Sequence, residues 1–160
     1  MIAMALLMQP TLIIADEPTT ALDVTVQAQI LELLVEMQRE MGTSILLITH
    51  NLSLIAQYAN RLAVMYAGRI VEKSDLESFL SNCLHPYTHG LLEALPDLRA
   101  ERPELHPIQG QVPQPKDYEE GCRFRERCKY AFERCIEKPD LFVHGDGQEV
   151  ACFLYDKEAQ

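Results

Sequence analysis

Two acidic side chains and a histidine stand at the ends of two short apolar runs. Asp16 and Glu17 follow the run 12–15, and His50 lies two residues beyond the run 45–48. Ligands of open parallel sheets bind beyond the carboxyl ends of the strands, so these three side chains are expected at one edge. The set suits phosphoryl transfer, because an aspartate can hold Mg²⁺, a glutamate can polarise water and a histidine can stabilise a phosphate. Taken alone, the acidic pair and the histidine favour a solvated pair and an ordinary loop histidine over a catalytic site.

Four of the five cysteines form a second candidate site. Cys122, Cys128, Cys135 and Cys152 are separated by five, six and sixteen residues. Four thiolates can hold either zinc or an iron–sulfur cluster. Structural zinc sites usually contain cysteine pairs with two to four intervening residues, and these gaps are wider. A [4Fe–4S] cluster is larger than one ion and accepts ligands set further apart, while free thiols or disulfides stay open as alternatives. Cys83 is far off and is expected to be a plain buried or surface cysteine.

The composition limits the classes of function. The chain has 160 residues and a net charge of −10, which argues against a general affinity for nucleic-acid phosphates. The segment 121–138 is locally basic, with six basic against three acidic residues, and its charge could offset that of a metal cluster. No apolar run reaches the roughly 18–20 residues that span a bilayer. Without an export signal, the expected compartment is the reducing cytosol.

The elements that must position these residues alternate between strand and helix. The runs 12–15 and 45–48 predict buried strands, and apolar residues at three- and four-residue steps between them predict a helix that ends at Gly42. Further along the chain, the patterns predict a hairpin around Ala67 and Gly68, two short helices over 75–80 and 87–95, and a proline-rich linker over 96–115. A helix already under way over 1–8 suggests a piece of something longer. The expected fold class is α/β.

The string TLIIADEPTTALD resembles the segment of ABC transporter ATPases that runs from the magnesium-binding strand to the dimer-contact loop. The resemblance implies that Asp16 helps to hold Mg²⁺ and that Glu17 is the general base. It also implies that the loop ending at Asp23 contacts the opposite nucleotide-binding domain. His50, in the string ITHN, matches the switch histidine that senses the γ-phosphate; Asn51 stands where many relatives have an aspartate.

Three further strings resemble one branch of that family. RLAVMYAGRIVE is similar to its hairpin region, and HPYTHGLL to a region distinctive of ATPases that serve oligopeptide, dipeptide and nickel importers. GCRFRERCKYAFERC, with VACFL, resembles the carboxyl-terminal cysteine motif of peptide-importer ATPases, whose members can carry a [4Fe–4S] cluster. The resemblance implies a cluster at the four cysteines, with Zn²⁺ as the alternative.

The family's phosphate-binding loop, G-x-x-x-x-G-K-[ST], is missing, because none of the five lysines follows a glycine. The family's signature sequence is missing too. The expected organisation is therefore the carboxyl-terminal part of a nucleotide-binding domain over 1–80, an extension and linker over 81–120, and a four-cysteine tail over 121–160. The fold expected from the resemblance is a partial P-loop NTPase-type parallel sheet.

The resemblance implies an ATP-hydrolysing subunit of a peptide importer, with ATP and Mg²⁺ as cofactors in the full-length subunit. Its implied partners are a second ATPase subunit, membrane permease subunits and, indirectly, a solute-binding protein, at the cytoplasmic face of the membrane. Nucleic acid is not an expected partner. The alternative functions are a non-catalytic metal-binding remnant and an electron-transfer protein. This polypeptide alone is expected to bind ATP weakly or not at all.

Overall fold

The structure is a computed structural model that describes residues 10–20, 22–94, 107–118, 120–145 and 147–156. The chain divides into two compact units, Met1–Ala59 and Asn60–Gln160, called here the first and second units. The helix predicted over 1–8 lies outside the described residues. The organisation predicted from the sequence, with boundaries at residues 80 and 120, assigns a different function to each of three segments. That assignment stays a prediction.

The first unit alternates between strand and helix, as its sequence predicts. Its elements are β1 (Leu12–Asp16), α1 (Val24–Met41), β2 (Ser44–Ile48) and α2 (Leu52–Tyr58). The two strands pair in parallel, with Leu12 opposite Ser44 and Asp16 opposite Ile48. Parallel neighbours require a crossover, which α1 supplies. The α/β fold class is therefore confirmed, and both strands end at the same edge.

Helix α1 has a defined cap at each end. The Asp23 side chain accepts a hydrogen bond from the Val26 N–H, and Gly42 takes the left-handed conformation, with φ 65°, that glycine adopts without strain. Leu31 and Leu34 are buried, while Ile14 on β1 and Leu46 on β2 remain 63% and 49% exposed. One side of the strand pair therefore presents apolar side chains to solvent.

The second unit is built on a four-stranded antiparallel sheet. Its strands are β3 (Arg61–Tyr66), β4 (Arg69–Asp75), β5 (Phe142–His144) and β6 (Gln148–Val150), in the order β3-β4-β6-β5. The predicted hairpin is β3 and β4, which turn through Ala67 and Gly68, both with positive φ. Strands β5 and β6, which the sequence patterns did not reveal, lengthen the hairpin into a sheet.

Strand β6 ties the cysteine-containing tail to the hairpin. Val150 is fully buried and pairs with Glu72, and the Ala151 N–H donates to the Val71 carbonyl at 2.8 Å. The Lys73 ammonium lies 2.9 Å from the Glu149 carboxylate in the same register. The tail and the hairpin therefore share one core.

Two short helices follow β4, as predicted: α3 (Leu76–Asn82) and α4 (Pro86–Glu93). Phe79 of α3 is 1% exposed and anchors that helix in the core. The predicted linker lies partly outside the described residues, and its described part, 107–114, forms neither helix nor strand. Within the described residues, no helix combines the length and the apolar character needed to cross a membrane.

Candidate functional site

The acidic pair and the histidine meet at the carboxyl edge of β1 and β2. The Glu17 N–H donates to the Ile48 carbonyl at 2.9 Å, which continues the strand pairing past Asp16. His50 Nδ1 lies 2.8 Å from Glu17 Oε1, and the Thr20 hydroxyl donates to Glu17 Oε2 at 2.7 Å. The edge therefore brings Glu17 and His50 into direct contact, with Thr20 as a partner that sequence reasoning missed.

Glu17 occupies an unusual backbone conformation in an exposed site. Its φ is 43°, in the left-handed region, which costs a non-glycine residue about 1–2 kcal/mol. Such strain is concentrated at functional sites. The hydrogen bond from Thr20, and then that from His50, lowers the pKa of Glu17 below its usual range. The carboxylate is therefore ionised at neutral pH. The His50 side chain is 80% exposed and open to an outside ligand.

Asp23 and Asn51 both serve as helix caps. Asp23 Oδ1 accepts from the Val26 N–H at 3.0 Å, and Asn51 Oδ1 accepts from the Ser53 N–H at 3.0 Å. The Gln27 amide donates to the Leu22 carbonyl at 3.0 Å and holds the loop before α1 in place. Asp23 thus has a local structural role, and its contact with another domain stays a prediction.

The four carboxyl-terminal cysteines line a single pocket, called here the cysteine pocket. Cys122, Cys128, Cys135 and Cys152 share its wall with apolar and aromatic groups that include Phe124 and Phe153. The Cys122 N–H donates to the Cys135 carbonyl at 3.1 Å, which joins two of the cysteine segments directly. The free volume of the pocket is about 10 Å³, enough for one water molecule, so its walls nearly close on themselves.

Burial dominates the chemistry of these thiols. It raises the pKa of Cys122 and Cys128, and it raises the pKa of Cys152 to about 11. The neighbouring cysteines raise these pKa values further. Backbone N–H groups act in the opposite direction: those of Phe124, Tyr130 and Leu154 hydrogen-bond to Cys122, Cys128 and Cys152. The thiols of Cys122, Cys128 and Cys152 are therefore protonated at neutral pH unless a positive centre displaces the protons.

The prediction of a metal site at these cysteines is not supported by the structure. Among the described residues, no group of three or more His, Cys, Asp or Glu side chains is arranged to hold a metal ion. The four cysteines share a pocket but do not form a coordination shell for a single ion. Cys83 is buried, as expected, and does not line the cysteine pocket.

Two arginines near the cysteines, Arg123 and Arg127, donate hydrogen bonds to backbone carbonyl groups. Arg127 donates to the carbonyls of Ile108 and Gln109 at 3.0 and 2.8 Å. Arg123 donates to the Ala67 carbonyl in the hairpin turn. The sequence suggested that these cations offset the charge of a cluster. Their hydrogen bonds instead fasten the tail to the hairpin turn and to the end of the linker.

A buried glutamate and a buried histidine are the largest omission of the sequence reasoning. Glu72 is fully buried, and its two carboxylate oxygens accept from the N–H groups of Leu84 and His85 at 2.7 and 2.9 Å. His85 is 1% exposed, and its Nδ1 accepts from the Tyr87 N–H at 3.0 Å. Burial lowers the pKa of His85 to about 4, so the ring is neutral. A histidine followed by proline at a helix start was the available signal, because it marks a cap position.

The chain is similar to known ATP-binding proteins of peptide transport. Residues 71–135 match the family described as oligopeptide/dipeptide transporter, C-terminal region. The chain is 48% identical over 159 residues to the oligopeptide transport ATP-binding protein AppD of Bacillus subtilis, covering 99% of this chain and 48% of that protein. It is 47% identical over 153 residues to the dipeptide transport ATP-binding protein DppD of Escherichia coli, covering 95% and 47%. These matches support recognition of the chain as similar to the carboxyl-terminal part of the ATP-binding subunits of peptide ABC transporters.

The chain spans about half the length of the curated relatives that it matches. The family match covers the buried pair Glu72 and His85 and three of the pocket cysteines, Cys122, Cys128 and Cys135. Among solved structures, cbiO1 from Clostridium perfringens, part of the ABC transporter complex cbiONQ, aligns with 51% of this chain and 32% of that chain, with a TM-score of 0.47 and 36% identity.

Proposed function

We propose that the first unit supplies the magnesium, base and switch positions of an ATP-hydrolysing subunit that powers peptide import. The observation that carries this proposal is the 2.8 Å contact between Glu17 and His50 at the carboxyl edge of a parallel strand pair. In this assignment Asp16 helps to hold Mg²⁺, Glu17 acts on the attacking water and His50 binds the terminal phosphate. Asp23 lies in the loop that meets the opposite nucleotide-binding domain.

The electrostatics of Glu17 fit a water-orienting role. A base must be ionised to accept a proton, and the lowered pKa of Glu17 ensures this at neutral pH. The lowered pKa also weakens the driving force for proton transfer from water to the Glu17 carboxylate. Glu17 therefore contributes mainly by orienting water. Its two present partners, Thr20 and His50, occupy one carboxylate oxygen each. Nucleotide and magnesium would therefore engage a side chain that is already oriented.

The phosphate-binding loop is the missing part of this machinery. Backbone N–H groups of such a loop provide most of the phosphate contacts, and its lysine neutralises charge. We therefore expect this polypeptide alone to bind ATP weakly or not at all. Titration of a fluorescent ATP analogue with Mg²⁺ tests this expectation. Micromolar affinity that is abolished by Asp16→Asn would overturn it, and Asp117→Asn is a surface control.

The proposed partners follow from the family. A second ATPase subunit would complete the nucleotide site, and permease subunits would place the protein at the cytoplasmic face of the membrane. A solute-binding protein would act indirectly, and the cargo would be peptide, with nickel or another small solute as alternatives. The net charge of −10 agrees with the absence of nucleic acid from this set.

A second proposal concerns the four cysteines, which we assign as ligands of a [4Fe–4S] cluster, with Zn²⁺ as the alternative. Their shared pocket favours a common ligand, and the N–H groups directed at three of the sulfurs are typical of iron–sulfur sites. The lack of a single-ion arrangement disfavours zinc more than a cluster, because a cluster spaces its ligands further apart.

Anaerobic reconstitution with iron and sulfide tests this assignment. The intact chain is expected to retain iron and to absorb near 400 nm, and Cys135→Ser is expected to lose both. Cys83→Ser is the matched control, since Cys83 is also buried but lies outside the cysteine pocket. Stoichiometric zinc without iron would establish the alternative, and the absence of both metals would refute a metal role.

A further inference from the structure

The second unit contains a cleft of about 460 Å³ between its hairpin and its tail. Most of the lining comes from β3, β4 and the turn that joins them, and from the segments 122–124 and 138–141. The wall is mostly apolar, and Met65, Ile70 and Leu141 in it remain 61%, 36% and 36% exposed. The volume lies within the roughly 300–1,000 Å³ of sites that hold small ligands. The cleft is therefore large enough for a ligand with an apolar part.

The charged side chains of this lining are mostly cations. Arg69, Arg123 and Lys138 line the cleft, against a single carboxylate, that of Asp140. Within the part of the chain that the structure describes, none of the three cations forms an ion pair. The whole chain carries a net charge of −10, so this excess of positive charge is local. An anionic group is the ligand that complements it.

Arg69 is held in place by one nitrogen of its guanidinium. Its Nη1 donates to the carbonyls of Glu120 and Gly121 at 3.2 and 2.9 Å. The other two nitrogens, Nε and Nη2, have no partner among the described residues, and neither is buried. Their N–H groups point the same way and can bind a carboxylate with two parallel hydrogen bonds. Arg69 can therefore bind a carboxylate and keep both of its present contacts.

Arg123 adds a second positive charge beside the hairpin turn. Its Nη1 donates to the Ala67 carbonyl, and its guanidinium lies 3.9 Å from the centre of the Tyr118 ring. A Cβ atom at Gly68 would lie only 3.3 Å from the same Nη1. Arg123 Nε is buried and has no hydrogen-bond partner among the described residues. A buried cation with an unsatisfied donor is stabilised by nearby negative charge, so Arg123 favours an anion in the cleft without binding it directly.

We propose that the cleft binds the carboxyl-terminal end of a short peptide, with the terminal carboxylate on Arg69 and an apolar last side chain against the apolar wall. Asp140 lines the same cleft and can accept a hydrogen bond from an N–H group of the peptide backbone. Inorganic phosphate lacks the apolar part that the wall accommodates, and a fatty acid lacks an N–H group for Asp140. The inference goes beyond ATP hydrolysis, and it depends on neither the Glu17–His50 edge nor a metal at the cysteines.

Isothermal titration calorimetry of the full chain with N-acetyl-alanyl-leucine tests this inference. The matched ligand is the carboxyl-terminal amide of the same peptide, which keeps the apolar part and removes the charge. The free acid is expected to bind, and the amide to bind at least about tenfold more weakly, because a charge-assisted pair is lost. Arg69→Gln is expected to weaken binding of the acid by a similar factor. Arg61→Gln is the control variant, because Arg61 is exposed on the same hairpin and does not line the cleft.

The comparison of the two ligands uses the wild-type chain and does not depend on a variant folding. Equal affinity for the acid and the amide, or no binding of the acid, would overturn the proposal. Unchanged affinity in Arg69→Gln would show that the carboxylate binds elsewhere, and would overturn it as well. Octanoate or inorganic phosphate bound as tightly as the acid would assign the cleft to anions in general and refute the peptide.

Discussion

Each unit of the chain contains a glutamate and a histidine close together, and the two pairs differ in almost every other respect. In the first unit, Glu17 and His50 bind each other at 2.8 Å, with side chains that are 43% and 80% exposed. In the second unit, Glu72 and His85 are almost wholly buried, and the Glu72 carboxylate binds backbone N–H groups. The first pair is open to an outside ligand, while the second is part of the interior.

The comparison shows how burial decides what the same residue types do. A solvated carboxylate gains little stability from one neighbour and remains free to change partners. A buried carboxylate must keep every hydrogen bond that offsets its desolvation, so it becomes a structural anchor. The first pair therefore suits binding and turnover, and the second suits the fixed geometry of the cysteine pocket.

The largest effect is expected from the loss of the buried carboxylate. Glu72→Ala leaves the N–H groups of Leu84 and His85 buried without acceptors, at a cost of about 3 kcal/mol in the free energy of unfolding. Glu72→Gln keeps one acceptor oxygen and is expected to cost less. Denaturation followed by tyrosine fluorescence measures this, because five of the six tyrosines lie in the second unit. An alanine variant as stable as wild type would contradict the anchoring role.

A pH-dependent effect of similar size is expected at His85. Its pKa is about 4 in the folded chain and about 6.5 when exposed, so between these values the unfolded chain binds an extra proton. The contribution of His85 to stability is therefore constant above pH 6.5 and falls by about 3 kcal/mol as the pH drops towards 4. The difference in unfolding free energy between wild type and His85→Gln, measured across this range, isolates this loss. The same slope in both proteins would show that the folded histidine is accessible to protons.

The smallest effect on stability is expected at the exposed pair. Glu17→Ala and His50→Ala remove one solvated contact and should leave the denaturation midpoint close to that of wild type. Glu17→Gly relieves the left-handed backbone conformation and is expected to be at least as stable as Glu17→Ala. A marked loss of stability in Glu17→Ala would show that this pair is an anchor as well, and the contrast between the units would then disappear.

The sequence predicted the parts of the fold that depend on local patterns. The spacing of apolar residues and the positions of glycine and proline predicted α1, the two parallel strands and the β3–β4 hairpin. The strand order then predicted that Glu17 lies near His50. It did not predict β5 and β6, because these three-residue strands form only through the pairing of β6 with β4 and of β5 with β6, and they leave no pattern of their own. Spacing suggested one site for the four cysteines, but their burial depends on long-range packing.

The buried roles were the hardest to foresee. Glu72 stands in a strand where a charged residue normally faces solvent, and its acceptor role depends on Leu84 and His85 folding back over it. The carbonyl contacts of Arg123 and Arg127 likewise depend on tertiary structure. The excess of basic residues along 121–138 suggested that they offset the charge of a metal cluster. In the structure, Arg123 and Arg127 instead hold the tail against the hairpin turn and the end of the linker.

One measurement compares the two units directly. Native mass spectrometry of the intact chain, reconstituted anaerobically with iron and sulfide and mixed with Mg²⁺ and ATP, reports both ligands in a single spectrum. The account predicts a species that carries the iron and sulfide of one [4Fe–4S] cluster and no nucleotide, because this chain contains all four proposed cluster ligands, whereas the Glu17–His50 edge lacks a phosphate-binding loop. A chain that carries ATP and no iron would contradict it.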